Sequence, residues 1–401
     1  MASVTTQKPR DPPRRPRVAF MWAQLGAYHV DRCAALGKHL SESFEVEVIE
    51  LAQSSQEYAW APTAAVPSVS HRVLFPGAVL ESIGWWRRFT AVVRATWRAD
   101  WVFSGIPASN AEVILLSFVR ALVGRRMVMM TDSKLDDFPR RVHFEALKAL
   151  LYLPYRAALV SGQRSEAFMR FLGFRRRPIV QGYDSVGVDR ILRQSGGRLA
   201  HQADDFAARP FVFIARWVRK KNLPTLLRAY AQYRKNAGAS ARRLVLAGAG
   251  EEAEAVARLI DELDLADWID RPGFLGPNEV ATTLGRAIAL ILPSVEEQWG
   301  LIVNEAVACG VPSIVSANVG AADLLVENLV TGYVVPALSV DALAAAMLET
   351  GADEARWRTM ASAVAERRPL ADVMHTVEAV ADLIGRRDGR APEKPSKEFA
   401  E

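Results

Sequence analysis

The sequence predicts an α/β protein made of two doubly wound domains whose parallel sheets face a central cleft. Short, almost wholly apolar runs of strand length alternate with amphipathic segments of helix length along most of the 401 residues. This alternation is typical of parallel sheets covered by helices on both faces. A polar stretch over 184–209 interrupts it once. The interruption divides the chain into two halves, each long enough to bury its own core.

The strand and helix candidates define the expected domain boundaries. The predicted strands are 17–22, 44–51, 71–75, 101–104, 126–130, 157–160, 178–180, 211–215, 242–248, 268–274, 287–293, 312–316 and 333–336. Helical patterns between them include 29–41, 138–153, 222–237, 251–265 and 341–349. We therefore expect a disordered basic tail (1–16), an N-terminal domain (17–185), a linker (186–209), a C-terminal domain (210–368), a last helix (369–387) and a tail (388–401).

Composition favours a cytoplasmic protein without a nucleic-acid partner. Residues 1–17 hold five basic residues and one aspartate, so they carry +4 of the net charge of +5 and leave the body nearly neutral. No apolar run is long enough to span a membrane or to act as a secretory signal. The two cysteines lie far apart, as expected in a reducing compartment. The histidines and cysteines have no metal-ligand spacing, so we expect no metal.

Ligands of open parallel sheets bind at the carboxyl ends of the strands, which makes the residues after each strand the candidates. Arg216 and Lys221 follow a strand in "ARWVRKKN", just before a helix that begins near Asn222. Two cations beside a helix N-terminus suit a diphosphate, because the free amides and the helix dipole also favour negative charge. A solvated basic loop is the alternative interpretation.

A glycine turn, "GAGEEA", follows the next strand and begins at Gly248. Glycines at this position let the backbone approach a ligand. The turn also satisfies the dinucleotide fingerprint, with Asp270 about twenty residues further on. An NAD-dependent oxidoreductase is therefore the competing enzyme class, although the turn follows the second strand of its domain rather than the first. The other alternative is an ordinary glycine turn that only ends the strand.

The segment "SVEEQWGLIVNEAVACGVPSIVS" places seven residues between Glu297 and Glu305. If a helix starts near Gly300, the side chain of Glu305 points back towards its N-terminus and the cleft. A carboxylate there can accept hydrogen bonds from the two hydroxyls of a ribose, and the amides of Gly300 and Leu301 can hold phosphate or sugar oxygens. The alternative is a pair of ordinary surface glutamates.

This segment resembles the glutamate–seven–glutamate signature of the retaining glycosyltransferases of family 4, which have the GT-B fold of two Rossmann-like domains. "ARWVRKKN", "AGAGEE" and "NVGAADLLVENLVTGYVV" are similar to the family's other motifs and occur in the right order. The resemblance implies that Arg216 and Lys221 bind the donor diphosphate, Glu305 its ribose, and Glu297 the transferred sugar. It also implies that Phe274 and Leu275 flank the base.

Several positions depart from the family pattern. Gln298 stands where members often have glycine, and Trp299, which we include among the donor-binding candidates, stands where phenylalanine is frequent. Val319-Gly320 replaces a commoner glycine pair, and Asp323 replaces a commoner glutamate. These changes leave the identity of the donor sugar open.

The N-terminal half resembles the family less closely. In "LGAYHVDR", Gly26 corresponds to a loop near the donor phosphates. Asp132 and Ser133 stand where many members carry a histidine that lines the catalytic cleft. The resemblance makes Asp132 a candidate catalytic residue and His29 and Ser133 candidate acceptor contacts. As alternatives, His29 caps or packs the first helix and Asp132 caps a helix.

The resemblance implies a retaining, metal-independent transferase that moves a sugar from a nucleoside diphosphate to a hydroxyl. The acceptor would be a carbohydrate, a lipid-linked compound or a small molecule, and the last helix would pack back on the N-terminal domain. The nucleotide sugar is a substrate, so no cofactor is expected. A nucleotide-binding interaction protein without activity is a further alternative.

The segment "SIGWWRRFTAVVRATWR" (82–98) is amphipathic. Trp85, Trp86, Phe89, Val92, Val93 and Trp97 share one arc of a predicted helix, and arginines line the other side. This pattern is compatible with weak peripheral contact with an anionic membrane, on its inner face. A core-facing helix with a solvated basic back is the favoured alternative.

Overall fold

A computed structural model of the chain describes residues 14–56 and 65–385. The predicted basic tail lies outside these residues apart from 14–16, and the predicted tail over 388–401 lies outside them entirely.

The N-terminal domain is built on a parallel sheet with seven strands among the described residues. The strands are β1 (Arg17–Trp22), β2 (Glu45–Ser54), β3 (Ser70–Val79), β4 (Trp101–Ser104), β5 (Arg126–Thr131), β6 (Ala157–Val160) and β7 (Ile179–Gln181). The helices between them are α1 (Ala27–Leu40), α2 (Trp85–Thr96), α3 (Ala111–Leu122), α4 (Val142–Leu151) and α5 (Gln163–Phe171). The sheet order is β3-β2-β1-β4-β5-β6-β7, and separate apolar clusters fill its two faces.

The segment predicted as a linker contains a helix, α6 (Val188–Gln194). Val186, Val188 and Ile191 are buried in the core of the C-terminal domain. The segment therefore contributes to the second hydrophobic core.

The C-terminal domain has a six-stranded parallel sheet within the part of the chain that the structure describes. Its strands are β8 (Phe211–Ile214), β9 (Leu244–Ala247), β10 (Ile269–Gly273), β11 (Ala289–Leu292), β12 (Ser313–Ser316) and β13 (Gly332–Val335). Its helices are α7 (Leu223–Ala237), α8 (Ala253–Glu262), α9 (Pro277–Gly285), α10 (Leu301–Ala308), α11 (Ala322–Leu325), α12 (Val340–Ala352), α13 (Glu354–Glu366) and α14 (Arg368–Ala371). The strand order is β10-β9-β8-β11-β12-β13.

A last helix, α15 (Val373–Gly385), follows α14 and returns to the N-terminal domain. Val377, Val380 and Leu383 are buried in the apolar cluster that also contains residues of β1 and α1. The chain therefore crosses between the two domains twice, once before α6 and once before α15.

The amphipathic segment over 82–98 contains α2. Only part of its predicted apolar arc is buried in the structure. Val92 is buried, whereas Trp85, Trp86 and Trp97 are exposed. The helix thus packs on the sheet and leaves three tryptophans at the surface. None of the helices among the described residues is long and apolar enough to cross a bilayer.

Candidate active site

The two domains meet along the carboxyl ends of their strands, where Tyr28 contacts Glu305 and Arg164 contacts Val319, and Glu297 lies on this edge. It follows β11 and forms an ion pair with Lys221. The hydroxyl of Ser294 donates a 3.0 Å hydrogen bond to the same carboxylate oxygen, Oε2. The side chains of Glu297 and Lys221 are each 13% exposed, so the pair is shielded from bulk water but remains accessible. Arg216 lies in the same β8–α7 loop as Lys221 and is exposed.

Glu305 lies in α10, one turn into the helix that begins after Gly300. Gly300 has φ of +100°, a left-handed conformation that favours glycine and sets the direction in which the helix starts. The side chain of Glu305 is buried, and its Oε2 accepts a 3.1 Å hydrogen bond from the hydroxyl of Tyr28. Burial raises the pKa of Glu305 to about 7, although the bond from Tyr28 and the charge of Arg190 act in the opposite direction.

Asp132 follows β5 on the opposite domain and is half-buried. Burial, together with the negative charges of Asp184, Asp137 and Glu297, raises its pKa to about 7. Because Glu297 contributes to this rise, the two carboxylates lie near enough to interact across the domain interface. Its backbone carbonyl accepts a 3.0 Å hydrogen bond from Ser165, which fixes the strand end that carries it. Ser133 is also half-buried and directly follows Asp132.

Asp184, which sequence reasoning did not select, is a second carboxylate on this side of the cleft. It follows β7 and is buried, and burial raises its pKa. The hydroxyl of Ser161 donates to its Oδ2 at 2.5 Å, and Arg32 Nη1 lies 3.6 Å from its Oδ1. Its position at the carboxyl end of a predicted strand was the available sequence signal.

Gly26 and His29 lie at the start of α1. The amide of Gly26 donates a 3.0 Å hydrogen bond to Nδ1 of His29, and the imidazole packs 5.3 Å from the ring centre of Trp22. Burial and the charge of Arg32 hold the pKa of His29 well below its usual range, so the ring is neutral at physiological pH. These contacts agree with the alternative in which His29 caps and packs the first helix.

The remaining donor candidates occupy different environments. Trp299 is buried between the domains, where its indole N–H donates to Asn304 at 2.8 Å. A Cβ atom added to Gly162 would lie 2.8 Å from the Trp299 ring, so this tryptophan packs directly on the N-terminal domain. Phe274, in contrast, is 80% exposed beyond the end of β10, and Leu275 beside it is half-buried. Leu301 begins α10 and is half-buried.

The glycine turn at Gly248 has a packing role that the fingerprint did not predict. Gly248 has φ of +129°, and a Cβ atom there would lie 1.9 Å from the carbonyl oxygen of Ala215. The turn therefore lies against the backbone that leads to Arg216. Asp270, the acidic residue of the fingerprint, forms an ion pair with Arg243 at 2.5 Å. Both observations weaken the dinucleotide interpretation.

Two further side chains hold the domains together. Arg164, in α5, donates to the carbonyls of Ala317 (2.9 Å) and Val319 (2.5 Å) and forms an ion pair with Asp323 at 2.7 Å. Asn304 donates a 3.1 Å hydrogen bond to the backbone carbonyl of Asp184. The guanidinium of Arg164 thus binds the loop in which the sequence departs from the family pattern.

In the described part of the chain, no group of three or more His, Cys, Asp or Glu side chains has a metal-binding arrangement. The site is instead a cleft with cations on the C-terminal domain and carboxylates on both domains. It can bind an anionic ligand at Arg216 and Lys221 and hydroxyl groups at Glu305, Glu297 and Asp132.

Comparison with known proteins identifies relatives of the chain. Residues 207–367 match the family model for glycosyl transferases group 1. The 2-deoxystreptamine N-acetyl-D-glucosaminyltransferase of Streptomyces fradiae is 24% identical over 287 residues, covering 68% of each chain. Other curated glycosyltransferases are 30–32% identical, but their alignments cover between 15% and 40% of those proteins.

Solved structures share the fold across both domains. Sucrose-phosphate synthase from Thermosynechococcus elongatus has a TM-score of 0.69 at 18% identity and covers 93% of this chain and 99% of its own. HepE from Anabaena, solved with UDP and glucose, has a TM-score of 0.69 at 16% identity, with coverages of 93% and 100%. The fold, the family model and the relatives identify the protein as a GT-B glycosyltransferase whose C-terminal domain matches glycosyl transferases group 1.

Proposed function

We propose that the protein transfers a sugar, with retention of anomeric configuration, from a nucleoside diphosphate to a hydroxyl acceptor in glycan, polysaccharide or glycolipid biosynthesis. The observation that carries this proposal is the position of Glu297. It is paired with Lys221 on the donor domain and lies near enough to Asp132 of the opposite domain to raise the pKa of that carboxyl group. A sugar bound between these carboxylates would have its anomeric carbon near the diphosphate on one side and near an acceptor on the other.

The donor diphosphate is assigned to Arg216 and Lys221, with the amides at Gly300 and Leu301 completing the site. As the bond between the anomeric carbon and the diphosphate breaks, negative charge develops on the leaving phosphate. Two cations and free helix amides stabilise that charge without a metal ion. Solved structures of HepE with UDP and with UDP-glucose support a uridine nucleotide as the first donor to test.

Glu305 is assigned to the ribose. Its Oε2 accepts a hydrogen bond from the hydroxyl of Tyr28. A ribose diol would therefore have to replace this hydrogen bond or share the carboxylate with Tyr28. Replacement would separate α1 from α10 at this point and admit the nucleotide. Phe274 and Leu275, at the outer end of the same edge, are assigned to the base; the exposed ring of Phe274 offers it a stacking surface.

The acceptor is assigned to the N-terminal domain, with Asp132 and Ser133 as its contacts. Asp132 can accept a hydrogen bond from the attacking hydroxyl and so orient its oxygen towards the anomeric carbon. His29 is buried and bonded to Gly26, which supports a role in shaping the loop before α1 instead of direct contact with the acceptor.

A lipid-linked acceptor would bring the enzyme to the inner face of an anionic membrane, and we include this weak peripheral contact and a cytoplasmic location in the proposal. The exposed Trp85 and Trp86 of α2 support it. The burial of Val92 limits the apolar surface that α2 itself can offer.

Titration calorimetry with UDP-glucose, GDP-mannose and NAD tests the donor assignment directly. We expect a nucleotide sugar to bind and NAD to give no heat. Transfer is then measured as release of the nucleoside diphosphate, and NMR of the product reports the anomeric configuration. Preferential binding of NAD would overturn the assignment of the donor site, and an inverted product would overturn the retaining mechanism.

A further inference from the structure

The loop over 317–321, which follows β12, lies against the segment that carries Glu297. Val319 and Glu297 pair as a short parallel β-bridge, and Val319 is fully buried. The side-chain amide of Asn318 donates a 2.6 Å hydrogen bond to the carbonyl of Val295, two residues before Glu297. The loop thus supports the backbone on the N-terminal side of this carboxylate.

The same loop supports the backbone on the other side of Glu297. The amide of Ala321 donates a 2.9 Å hydrogen bond to the carbonyl of Trp299. A Cβ atom added to Gly320 would lie 1.9 Å from the carbonyl oxygen of Gln298, so the two backbones are in direct contact. Because the segments are joined on both sides of Glu297, a shift of the loop would displace the carboxylate as well.

Arg164 holds this loop from the opposite domain. It lies in the first turn of α5, and its side chain is 25% exposed. Its two Nη atoms donate to the carbonyls of Ala317 (2.9 Å) and Val319 (2.5 Å), and its Nε donates to the carboxylate of Asp323 at 2.7 Å. One residue, Val319, therefore connects the guanidinium to the backbone of Glu297.

The guanidinium is also fixed within its own domain. Its Nη1 donates to Oδ2 of Asp136 at 2.9 Å, and Asp136 lies in the loop that begins with Asp132. Four of the five N–H donors of Arg164 are thus used. The guanidinium fork has a fixed planar geometry, whereas the ammonium of a lysine is a point charge. Arg164 therefore links the loop of Asp132 to the loop behind Glu297 in one defined orientation.

The side chain of Val319 completes the connection. A Cβ atom added to Gly300 would lie 3.3 Å from Cγ1 of Val319 and 3.4 Å from Cγ of Glu297. The valine side chain thus packs at the turn where the side chain of Glu297 begins. Val319 and Asp323 are also positions at which the sequence departs from the family pattern, and Arg164 bonds to both. The departures therefore form one unit with this arginine.

We propose that Arg164 is a positioning residue for sugar transfer, which sets the orientation of Glu297 relative to Asp132 by holding the carbonyl of Val319. It acts through other residues, because its partners are the loop behind Glu297 and Asp136 in the loop of Asp132. The roles of the two carboxylates rest on the proposed function. The mechanical coupling between Arg164 and the segment of Glu297 does not.

An ion pair that only stabilises the domain interface is the alternative role. Lysine would preserve much of such an interaction, because its charge would still be attracted to Asp323 and Asp136. Holding the carbonyls of Ala317 and Val319 at the same time requires the fork, so lysine should not restore it. The two roles therefore predict different outcomes for Arg164→Lys.

Hydrogen exchange measured by mass spectrometry tests the coupling in the full chain without a ligand. In Arg164→Gln, we expect roughly tenfold faster exchange over 294–300 and 317–323, because a loop that loses its interdomain hydrogen bonds opens more often. Arg170→Gln is the matched control, since Arg170 lies in the same helix and bonds within its own domain, for example to the carbonyl of Phe174 at 2.9 Å. It should leave both segments unchanged.

Two results of the exchange experiment would overturn the coupling. Faster exchange over 317–323 with no change over 294–300 would show that the loop moves without the segment of Glu297. Equal acceleration in Arg164→Gln and Arg170→Gln would show that the effect is general destabilisation of the domain.

Single-turnover release of UDP from bound UDP-glucose tests the consequence for the reaction. Arg164→Gln should lower the rate at least about tenfold and leave the affinity for UDP within about twofold, because we assign the diphosphate to Arg216 and Lys221. Arg164→Lys should be nearly as slow. Asp323→Asn keeps an oxygen acceptor and both carbonyl bonds, so it should lose less than about threefold. Full recovery by lysine would show that charge alone matters and would overturn the positioning role.

The two experiments separate failure of this inference from failure of the proposed function. If the unmodified protein does not turn over UDP-glucose but exchange over 294–300 accelerates in Arg164→Gln, the coupling is supported and the proposed donor is wrong. If the unmodified protein transfers the sugar and Arg164→Gln does so at the same rate, the proposed function is supported and the positioning role is overturned.

Discussion

The hydroxyl of Tyr28 donates a hydrogen bond of 3.1 Å to Oε2 of Glu305. Tyr28 belongs to the first helix of the N-terminal domain, and Glu305 belongs to α10, to which we assign part of the donor site. The bond therefore closes the cleft at the carboxylate that we assign to the ribose. Any ligand that uses this carboxylate must compete with a residue of the opposite domain.

Tyr28→Phe removes this competitor and keeps the ring. We expect the affinity for UDP-glucose to rise severalfold, because Glu305 no longer has to give up a bond. The free energy of unfolding should fall by about 1–3 kcal/mol, because a buried carboxylate loses its donor. Calorimetry and urea unfolding measure the two effects. A large loss of affinity would show instead that the hydroxyl contacts the nucleotide.

The two glutamates of the donor motif should have separable effects. Glu305→Ala should weaken the bare nucleoside diphosphate and the intact donor alike, by roughly ten- to a hundredfold, since hydrogen bonds to a charged group contribute about 1.5–3 kcal/mol. Glu297→Ala should leave the affinity for the diphosphate within a few-fold but strongly reduce transfer, because its partner is the migrating sugar. Calorimetry with UDP distinguishes them. Equal losses in both variants would mean that the glutamates act as one structural unit.

Asp132→Asn preserves the size of the side chain and removes its charge. We expect the rate of transfer from bound donor to fall at least about tenfold, while the affinity for UDP-glucose changes little, because we assign Asp132 to the acceptor side. Single-turnover kinetics at saturating donor provide the rate. A sharp fall in nucleotide affinity with an unchanged rate would place Asp132 in the donor site.

Stability should decrease as the pH rises towards neutrality. Burial raises the pKa of Glu305 from 4.5 to about 7, so between these values the folded state holds more protons than the unfolded state, and the free energy of unfolding falls with increasing pH. Glu305→Gln should reduce this fall in the free energy of unfolding between about pH 5 and pH 8 by up to about 3 kcal/mol. Urea unfolding across this range measures it. An identical pH dependence in both proteins would contradict the assigned pKa.

Transfer should survive chelation. Arg216 and Lys221 supply positive charge at the proposed diphosphate site, and the amides at the start of α10 add donors. We expect unchanged turnover in excess EDTA, measured as release of the nucleoside diphosphate. Activity that EDTA abolishes and magnesium or manganese restores would show that these cations are insufficient.

Much of the fold was predictable from the sequence because local pattern determines it. Apolar runs and amphipathic periods predicted the thirteen strands to within four residues of their observed ends, for example 101–104 and 157–160 without error. These patterns follow from which side chains each element must bury. The donor motif was predictable for a related reason, because its glutamates and cations occur within short stretches around strand ends.

Other features depended on contacts between residues far apart in the chain. Tyr28 and Glu305 are 277 positions apart in the sequence. Arg164 donates a hydrogen bond to the carbonyl of Val319, which is 155 positions away. No local pattern predicts that such residues meet, because their proximity depends on how one domain is oriented on the other. The same reason explains why the partners of Asp184, Ser161 and Arg32, were not predictable.

Periodicity and short spacing in the sequence were enough to predict two parallel α/β sheets, the polar strand ends and the spacing of Glu297 and Glu305. Three features become visible only in the assembled domains: Tyr28 bonds to Glu305, Trp299 is buried between the domains, and α3 and α4 expose apolar side chains. A helical period shows that one side is apolar but not whether that side faces the core. That choice depends on contacts such as the ion pair between Glu112 of α3 and Arg88 of α2, which forms only when the helices are assembled on the sheet.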